Sequence, residues 1–185
     1  MKKILIISVV LIILSAVGYI ALNIDRYYQE VFLNRYGLAG KDVVEIINYL
    51  EEKTDEPLGF SAGVNAKKLR LSDAKDTVEL AIPEGKFYLS IAPFIHQTHP
   101  CAIHNLVTCT GELQSETFDI LITDVNTNEV VLSEQRTSSA KGFIGLWLPR
   151  DKNLQISITY QGLSATKQVG TFDSNDTCET TMQLS

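Results

Sequence analysis

The sequence predicts an α+β protein, in which an N-terminal membrane-anchor helix and a short helical region precede an antiparallel β-sandwich-like domain. The first residues form a long apolar run, residues 41–53 repeat apolar side chains at helical spacing, and from residue 68 apolar and polar residues alternate. Spacings near 3.6 and 2 are typical of helices and strands, respectively. We therefore expect an anchor or signal peptide at 1–24, a helical segment at 25–57 and a β-rich metal-binding domain at 58–185.

The N-terminal apolar run extends from Ile4 to Leu22 and follows Lys2 and Lys3. A transmembrane helix needs about 20 apolar residues, whereas the apolar part of a signal peptide has about 7–15. The run is longer than the apolar part of a usual signal peptide, and no clear cleavage site of small residues follows it. We therefore predict a single-pass cell-membrane anchor with the domain on the extracytoplasmic side. The alternative is a cleaved signal peptide and a secreted or periplasmic protein.

Two helical stretches follow. Residues Asp25 to Tyr36 predict a short helix or a continuation of the anchor helix, with Gly37 as its stop. The stretch from Lys41 to Lys53 is the most strongly helical, because its apolar residues fall on one face. These are Val43, Ile46, Ile47 and Leu50. Such a face packs on a sheet or on a partner subunit, and the second case would make the protein a homodimer.

The rest of the chain has the pattern of short strands. Lys68 to Ile82 predicts a hairpin. Residues Gly142 to Leu148 are apolar at both alternating sets of positions, which predicts a strand in the middle of a sheet. From Leu154 to Tyr160 apolar residues alternate with Gln155, Ser157 and Thr159, which we expect to be exposed. Short strands at regular spacing with polar turns between them favour a β-sandwich.

Charge and cysteine content exclude some functions and limit others. The formal net charge of −6 argues against nucleic acid as a partner, because its phosphates need clustered Lys and Arg. Disulfides persist outside the cytoplasm. Because three cysteines are an odd number, at least one thiol has no partner within the chain and is free, bonded to another chain or bound to a metal.

The candidate functional site is the segment Phe94–Cys109. It contains all three histidines of the protein and two of its three cysteines. Pro100 disfavours helix just before Cys101, so the segment can curl and bring its ligands together. Thiolates and imidazole are soft or borderline ligands that suit Cu(I) and also Zn(II). The predicted metal ligands are Cys101, His104, Cys109 and the distant Cys178.

Other interpretations of the same residues stay open. Cys101 and Cys109 could form a simple disulfide, with Cys178 as a buried apolar side chain. The same four residues could be a structural zinc site. A thiolate beside His104 could also act as a nucleophile or exchange disulfides, although the chain has no Cys-x-x-Cys motif. We expect His96 to be a solvated loop residue. His99 could contact a metal ligand without binding the metal itself, or it could be an alternate ligand.

Several separate blocks cover nearly all of the predicted exported part of the sequence. They are Gly40-Lys-Asp-Val-Val-Glu-Ile-Ile47, Phe87-Tyr-Leu-Ser-Ile-Ala-Pro-Phe94, Gln97-Thr-His-Pro-Cys101 with His104, Thr108-Cys-Thr-Gly-Glu-Leu113, Gly142-Phe-Ile-Gly-Leu-Trp-Leu-Pro-Arg-Asp151 and Thr177-Cys-Glu-Thr-Thr-Met-Gln-Leu184. In their sequence and in their order, these blocks resemble the CueP family of bacterial copper-binding proteins.

The resemblance implies an exported protein that binds copper through Cys101, His104, Cys109 and Cys178. It also implies copper resistance, reduction of Cu(II) to Cu(I), and delivery of copper to an acceptor such as an exported superoxide dismutase. Because thiolates reduce Cu(II), a Cys101–Cys109 pair with Cys178 as third ligand could cycle between a copper-holding form and a disulfide. The alternative function is a structural zinc or disulfide-stabilised β-sandwich binding module.

Overall fold

A computed structural model describes the backbone of residues 2–185 and the side chains of residues 11–20 and 23–185. Two helices open the chain. Helix α1 (Lys2–Arg35) is continuous. Residues 25–35 therefore continue the N-terminal helix, which was one of the two predictions, and do not form a separate short helix. Helix α2 (Val43–Glu52) begins at the Asp42 cap, whose side chain accepts a hydrogen bond from the Glu45 N–H while the Glu45 carboxylate accepts one from Asp42. This reciprocal pairing satisfies backbone donors that the helix itself leaves free.

Eleven strands follow in the described part of the chain. They are β1 (Ser61–Val64), β2 (Lys68–Ser72), β3 (Thr77–Ala81), β4 (Lys86–Ile91), β5 (His104–Asn105), β6 (Thr117–Asp124), β7 (Val130–Thr137), β8 (Ile144–Pro149), β9 (Asn153–Tyr160), β10 (Leu163–Gly170) and β11 (Cys178–Glu179). They form three sheets, in the orders β3-β2-β1-β5, β10-β9-β6-β7 and β11-β4-β8. The predicted hairpin is β2–β3.

The main core lies between the sheet of β4 and β8 and the sheet of β6 and β9. Alternating apolar residues of these four strands form one buried cluster. On β9 the apolar residues from Leu154 to Tyr160 are buried and Gln155 and Thr159 are exposed, as predicted. Ser157 was predicted to be exposed and is half-buried. Because a strand places alternate side chains on opposite faces, the two facing sheets bury a shared apolar layer, which is the sandwich-like arrangement that the sequence predicted.

Two details of the fold prediction are wrong. The strand β8, predicted for the middle of a sheet, is at an edge and pairs with β4 alone among the described residues. The central strand is β4, which is buried at five consecutive positions. The sheets are also not wholly antiparallel, because β11 runs parallel to β4. Most of the β-rich domain lies between β4 and β11 in sequence, and such a long connection allows the parallel direction.

The chain divides into two compact units, one ending at Gly40 and the other spanning Lys41–Ser185. In the part whose side chains are described, we find no helix that is both long and apolar enough to cross a membrane. Residues 4–10, 21 and 22 of the predicted anchor, Ile4–Leu22, fall outside that description. Its role as anchor or signal peptide therefore stays a prediction.

Candidate metal centre

Two short strands bring the predicted ligands together. The strand β5 pairs with β1, with His104 opposite Val64, and this pairing carries the His104 ring into the interior, where it is 1% exposed. The strand β11 pairs with β4, with Cys178 opposite Ser90. The Thr177 hydroxyl donates a hydrogen bond to the Val64 carbonyl and fixes β11 beside β1. Residues that are far apart in sequence therefore meet at one point.

All four predicted ligands lie at that point. Cys101 and Cys178 form a disulfide with a Cα–Cα distance of 5.6 Å. Cys109 is a free thiol, and its Sγ lies 3.7 Å from Cys101 Sγ. The Sγ of Cys178 lies 3.7 Å from His104 Nδ1. Cys178 thus meets the other ligands, as we predicted from the donor set.

The disulfide pairing corrects the sequence prediction. We considered a Cys101–Cys109 bridge, both as a simple disulfide and as the oxidised state of a copper cycle. The bridge instead joins Cys101 to Cys178 across 77 residues, and Cys109 is the remaining thiol. The short spacing between Cys101 and Cys109 misled the prediction, because the parallel pairing of β11 with β4 decides which sulfur is nearest.

A carboxylate that sequence reasoning missed completes the centre. Glu51, in the last turn of α2, is buried, and its Oε2 lies 2.9 Å from His104 Nε2. The Tyr88 hydroxyl donates to the same oxygen at 2.6 Å, and the Ser90 hydroxyl donates to Oε1 at 3.3 Å. A carboxylate that holds the far nitrogen of a ligand imidazole fixes its orientation and leaves the near nitrogen for a metal.

The sequence did contain a signal for Glu51. The residue follows Ile47 by four positions, so it falls on the apolar face of α2 with Ile46 and Leu50. A charged residue on an otherwise apolar face needs a buried partner. His104 is that partner.

The charges in the centre support one another. Burial disfavours the protonated ring of His104, but the neighbouring Cys109 and Glu51 outweigh it and raise the pKa of His104 to about 9. Burial also disfavours the ionised forms of Glu51 and Cys109, yet their contacts with His104 lower the pKa of both groups. Contact among the three groups thus shifts the pKa of each towards its charged form.

The other two histidines differ from each other. His96 is an exposed loop residue, as predicted. His99 is half-buried, and one of its ring nitrogens lies within 4.8 Å of the sulfurs of Cys101 and Cys109. The donor atoms of His104, Cys109 and Cys178 form a second group, and they also lie within 4.8 Å of one another.

These donors fit a soft metal ion. With metal–sulfur bonds of ~2.3 Å, two thiolates on a trigonal or linear ion lie about 4.0–4.6 Å apart. The donor atoms within each group lie within 4.8 Å of one another, so small movements would close a site once the disulfide is reduced. Sulfur and imidazole donors suit Cu(I) and Zn(II) and do not suit hard cations such as Mg²⁺.

The fold and the cluster define a class of protein, namely a β-sandwich with a cysteine–histidine centre able to hold a soft metal. The family model described as periplasmic copper-binding protein CueP matches residues 43–183. The crystal structure of S.CueP is 36% identical, with a TM-score of 0.80 over 84% of this chain and 96% of that chain. No curated protein matches the chain. The chain belongs to the CueP family, as its sequence blocks predicted.

Proposed function

We propose that this protein binds copper outside the cytoplasm and holds Cu(I) with the thiolates of Cys101, Cys109 and Cys178 and the imidazole of His104. The observation that carries the proposal is the convergence of three sulfurs and a carboxylate-held imidazole at one point. The family description, periplasmic copper-binding, agrees with such a cargo. Sequestration in this form would serve copper resistance or delivery to an acceptor such as an exported superoxide dismutase.

The same residues support reduction of Cu(II). Two thiolates, those of Cys101 and Cys178, each give one electron to a Cu(II) ion. Two Cu(I) ions and one disulfide result, and no atom leaves the protein. The disulfide of the structure joins this pair, and Cys109 then remains as a thiol for one of the Cu(I) ions. Return to the reduced form requires an external dithiol. The dithiol reduces the Cys101–Cys178 disulfide by thiol–disulfide exchange and itself becomes a disulfide.

The N-terminal segment adds a location to the proposal. The Ile4–Leu22 run would tether the copper centre to the outer face of the cell membrane, and cleavage after it would instead release a periplasmic or secreted protein. The N-terminal sequence of the mature protein from cells distinguishes these outcomes. A start after about residue 22 would exclude the tether.

A second candidate is a disulfide-stabilised or zinc-stabilised binding module. The Cys101–Cys178 disulfide favours it, because a cross-link between residues so far apart restricts the unfolded chain strongly. In this case the cysteines would serve stability, and copper would have no selective site.

Metal selectivity distinguishes the two candidates. The reduced full-length chain is titrated without oxygen with Cu(I) and with Zn(II), each against a competing chelator. We expect tight Cu(I) binding that is lost strongly in Cys178→Ser and less in His104→Ala, because imidazole is the least soft donor. Zn(II) binding tighter than Cu(I) binding relative to the matched chelators, or Cu(I) affinity unchanged in Cys178→Ser, would overturn the copper proposal.

A further inference from the structure

Cys109 belongs to two different groups of metal-binding side chains. One group is His99, Cys101 and Cys109, all three half-buried; the other is His104, Cys109 and Cys178, in which His104 and Cys178 are buried. We call them the outer set and the inner set. The two sets thus differ in exposure and share one thiol.

We propose that His99 is an entry ligand, and that copper binds first to the outer set and then passes to the inner set through the shared thiol of Cys109. This inference rests on the proposed copper binding and deepens it. The transfer exchanges ligands and involves no change of oxidation state. The ion keeps its bond to Cys109 while it releases His99 and gains His104 and Cys178, and Cys101 remains available to complete the proposed four-ligand site.

Access to solvent supports the order of the two sets. The His104 ring is buried and packs against the Phe143 ring, with ring centres 4.5 Å apart, and Phe143 is itself buried. Phe143 and Cys178 belong to one apolar cluster, and Cys101 and Cys109 pack against it from partly exposed positions. An ion arriving from solvent therefore meets Cys101 and Cys109 before it reaches His104.

His99 lines an open cleft. The cleft has a volume of about 420 Å³ and is lined by His99 together with residues of the preceding and following loops. The lining is mostly polar, including Gln97, Thr98 and Glu112. Such a cleft can admit a hydrated ion or a small copper complex directly beside the imidazole of His99.

The backbone before His99 is fixed in place. The carboxylate of Glu112 accepts hydrogen bonds from the N–H groups of Ile95, His96 and Gln97, at 2.7 Å for Ile95. The Thr98 hydroxyl donates to the Thr180 carbonyl at 2.6 Å. These contacts hold the loop against the strand end near Cys178, so His99 is presented to the sulfurs by a rigid support.

Transfer through a shared ligand keeps the ion bound at every step. With metal–sulfur bonds of ~2.3 Å and metal–nitrogen bonds of ~2.0 Å, each set needs only small movements to close on one ion. Because Cys109 serves both, the ion never has to leave as a free cation. A shared thiol thus makes fast entry compatible with a buried final site.

The first test measures the rate of copper uptake. The reduced full-length chain is mixed with Cu(I) bathocuproine disulfonate, and the decay of the chelator complex is followed by stopped flow. We expect His99→Gln to slow uptake by about tenfold, the scale on which metal-site partners act, and to leave the final affinity nearly unchanged. His96→Gln is the matched control, because His96 lies in the same loop but is exposed and outside both sets. We expect it to change neither the uptake rate nor the final affinity.

The second test isolates the outer set. In Cys178→Ser the inner set lacks a thiol, so Cu(I) should rest on His99, Cys101 and Cys109. X-ray absorption of this reduced variant should show two sulfur donors and one nitrogen donor, and adding His99→Gln should remove the nitrogen and lower the affinity by about tenfold or more.

The outcomes separate this inference from the copper proposal itself. Failure of the parent chain to bind Cu(I) would overturn the proposed function. If the parent binds Cu(I) but His99→Gln changes neither the uptake rate nor the Cys178→Ser spectrum and affinity, then His99 is no ligand and the outer set is wrong. Equal slowing by His96→Gln would also overturn it, because a general effect of the loop would then explain the rate.

Discussion

The sandwich and the segment Phe94–Cys109 are held in place by different interactions. In the sandwich, apolar side chains of facing strands are buried together, and each fully buried large side chain contributes about 1.5–3 kcal/mol. The segment contains one two-residue strand and is positioned by the Cys101–Cys178 disulfide and by directional polar contacts from distant parts of the chain. Glu51 reaches it from α2, Thr177 from the C-terminal region and Glu112 from the following loop.

This difference has a consequence for substitutions. Apolar burial is not directional, so a truncation in the core weakens the whole fold while its geometry is largely kept. Hydrogen bonds and ligand bonds are directional, so a substitution in the segment changes the site even where the fold is as stable as before. The two regions should therefore respond separately.

The largest expected effect concerns the sandwich. Phe118 on β6 is fully buried and packs on Tyr160, with ring centres 5.0 Å apart. We expect Phe118→Ala to lower the free energy of unfolding by about 3–5 kcal/mol and to leave the Cu(I) affinity of the folded protein unchanged. Denaturant unfolding and chelator competition measure the two quantities.

The same strand offers a control for this prediction. Leu121 points to the other face of β6 and is 42% exposed. We expect Leu121→Ala to change stability by less than about 0.5 kcal/mol. Loss of copper binding in folded Phe118→Ala would show that the core and the site are coupled, contrary to the comparison.

The second effect is a pH dependence that arises in the site alone. In the oxidised, metal-free protein the pKa of His104 is raised to about 9 from 6.5. Its stabilising contribution is therefore fully present below about pH 6.5 and is lost as the pH rises through about 9, and it amounts to about 3 kcal/mol at most. We expect the stability difference between the parent and His104→Gln to shrink over this range.

Cys109 provides the check on this interpretation. Its lowered pKa acts in the opposite direction, so its contribution is present above the thiol pKa of the unfolded chain and is lost as the pH falls through the lower folded value. Cys109→Ser removes one of the two anions beside His104, so the pH dependence should become smaller and not vanish. A pH-independent difference between the parent and His104→Gln would mean that the ring is neutral in the folded protein.

The third effect concerns Glu51. Glu51→Gln keeps the shape and an oxygen acceptor for the Tyr88 hydroxyl but removes the charge that faces His104. We expect Cu(I) affinity to fall by about 10–100-fold, as for other residues that orient a ligand imidazole, and the pKa of His104 to fall towards its ordinary value. Chelator competition and NMR titration of the imidazole measure these changes.

A matched control for Glu51 is the next residue of α2. Glu52 is exposed, and we expect Glu52→Gln to leave the copper affinity unchanged. Equal copper affinity of Glu51→Gln and the parent would show that the carboxylate serves the fold and does not tune the ligand.

The two regions also differ in how far the sequence predicts them. The sandwich is encoded locally: the alternation from Leu154 to Tyr160 specifies which side chains face the core, whatever the rest of the chain does. The candidate ligands could be found as well, because Cys and His are rare in this chain and cluster in Phe94–Cys109.

The connections within the site could not be predicted, because they depend on the three-dimensional pairing of distant strands. The Cys101–Cys178 bridge requires β11 to lie parallel to β4, and no local pattern specifies a parallel partner for a two-residue strand. The position of β8 at a sheet edge is likewise a property of the whole sheet. Glu51 had only the weak signal of a charge on an apolar helix face.

The smallest effect tests whether the segment can loosen by itself. Glu112 is bound by three successive backbone N–H groups, from Ile95 to Gln97, and although burial acts against it, these bonds lower the pKa of its carboxyl. Glu112→Gln keeps one oxygen acceptor but loses the charge that strengthens the bonds. We expect the local opening free energy of these amides to fall by about 1 kcal/mol, which corresponds to roughly fivefold faster hydrogen exchange.

Amides of β9 should exchange as in the parent, and Glu84→Gln, at an exposed turn, should change the exchange of neither group of amides. Faster exchange throughout β9 in Glu112→Gln would show that the segment and the sandwich open as one unit, and the contrast between them would then fail.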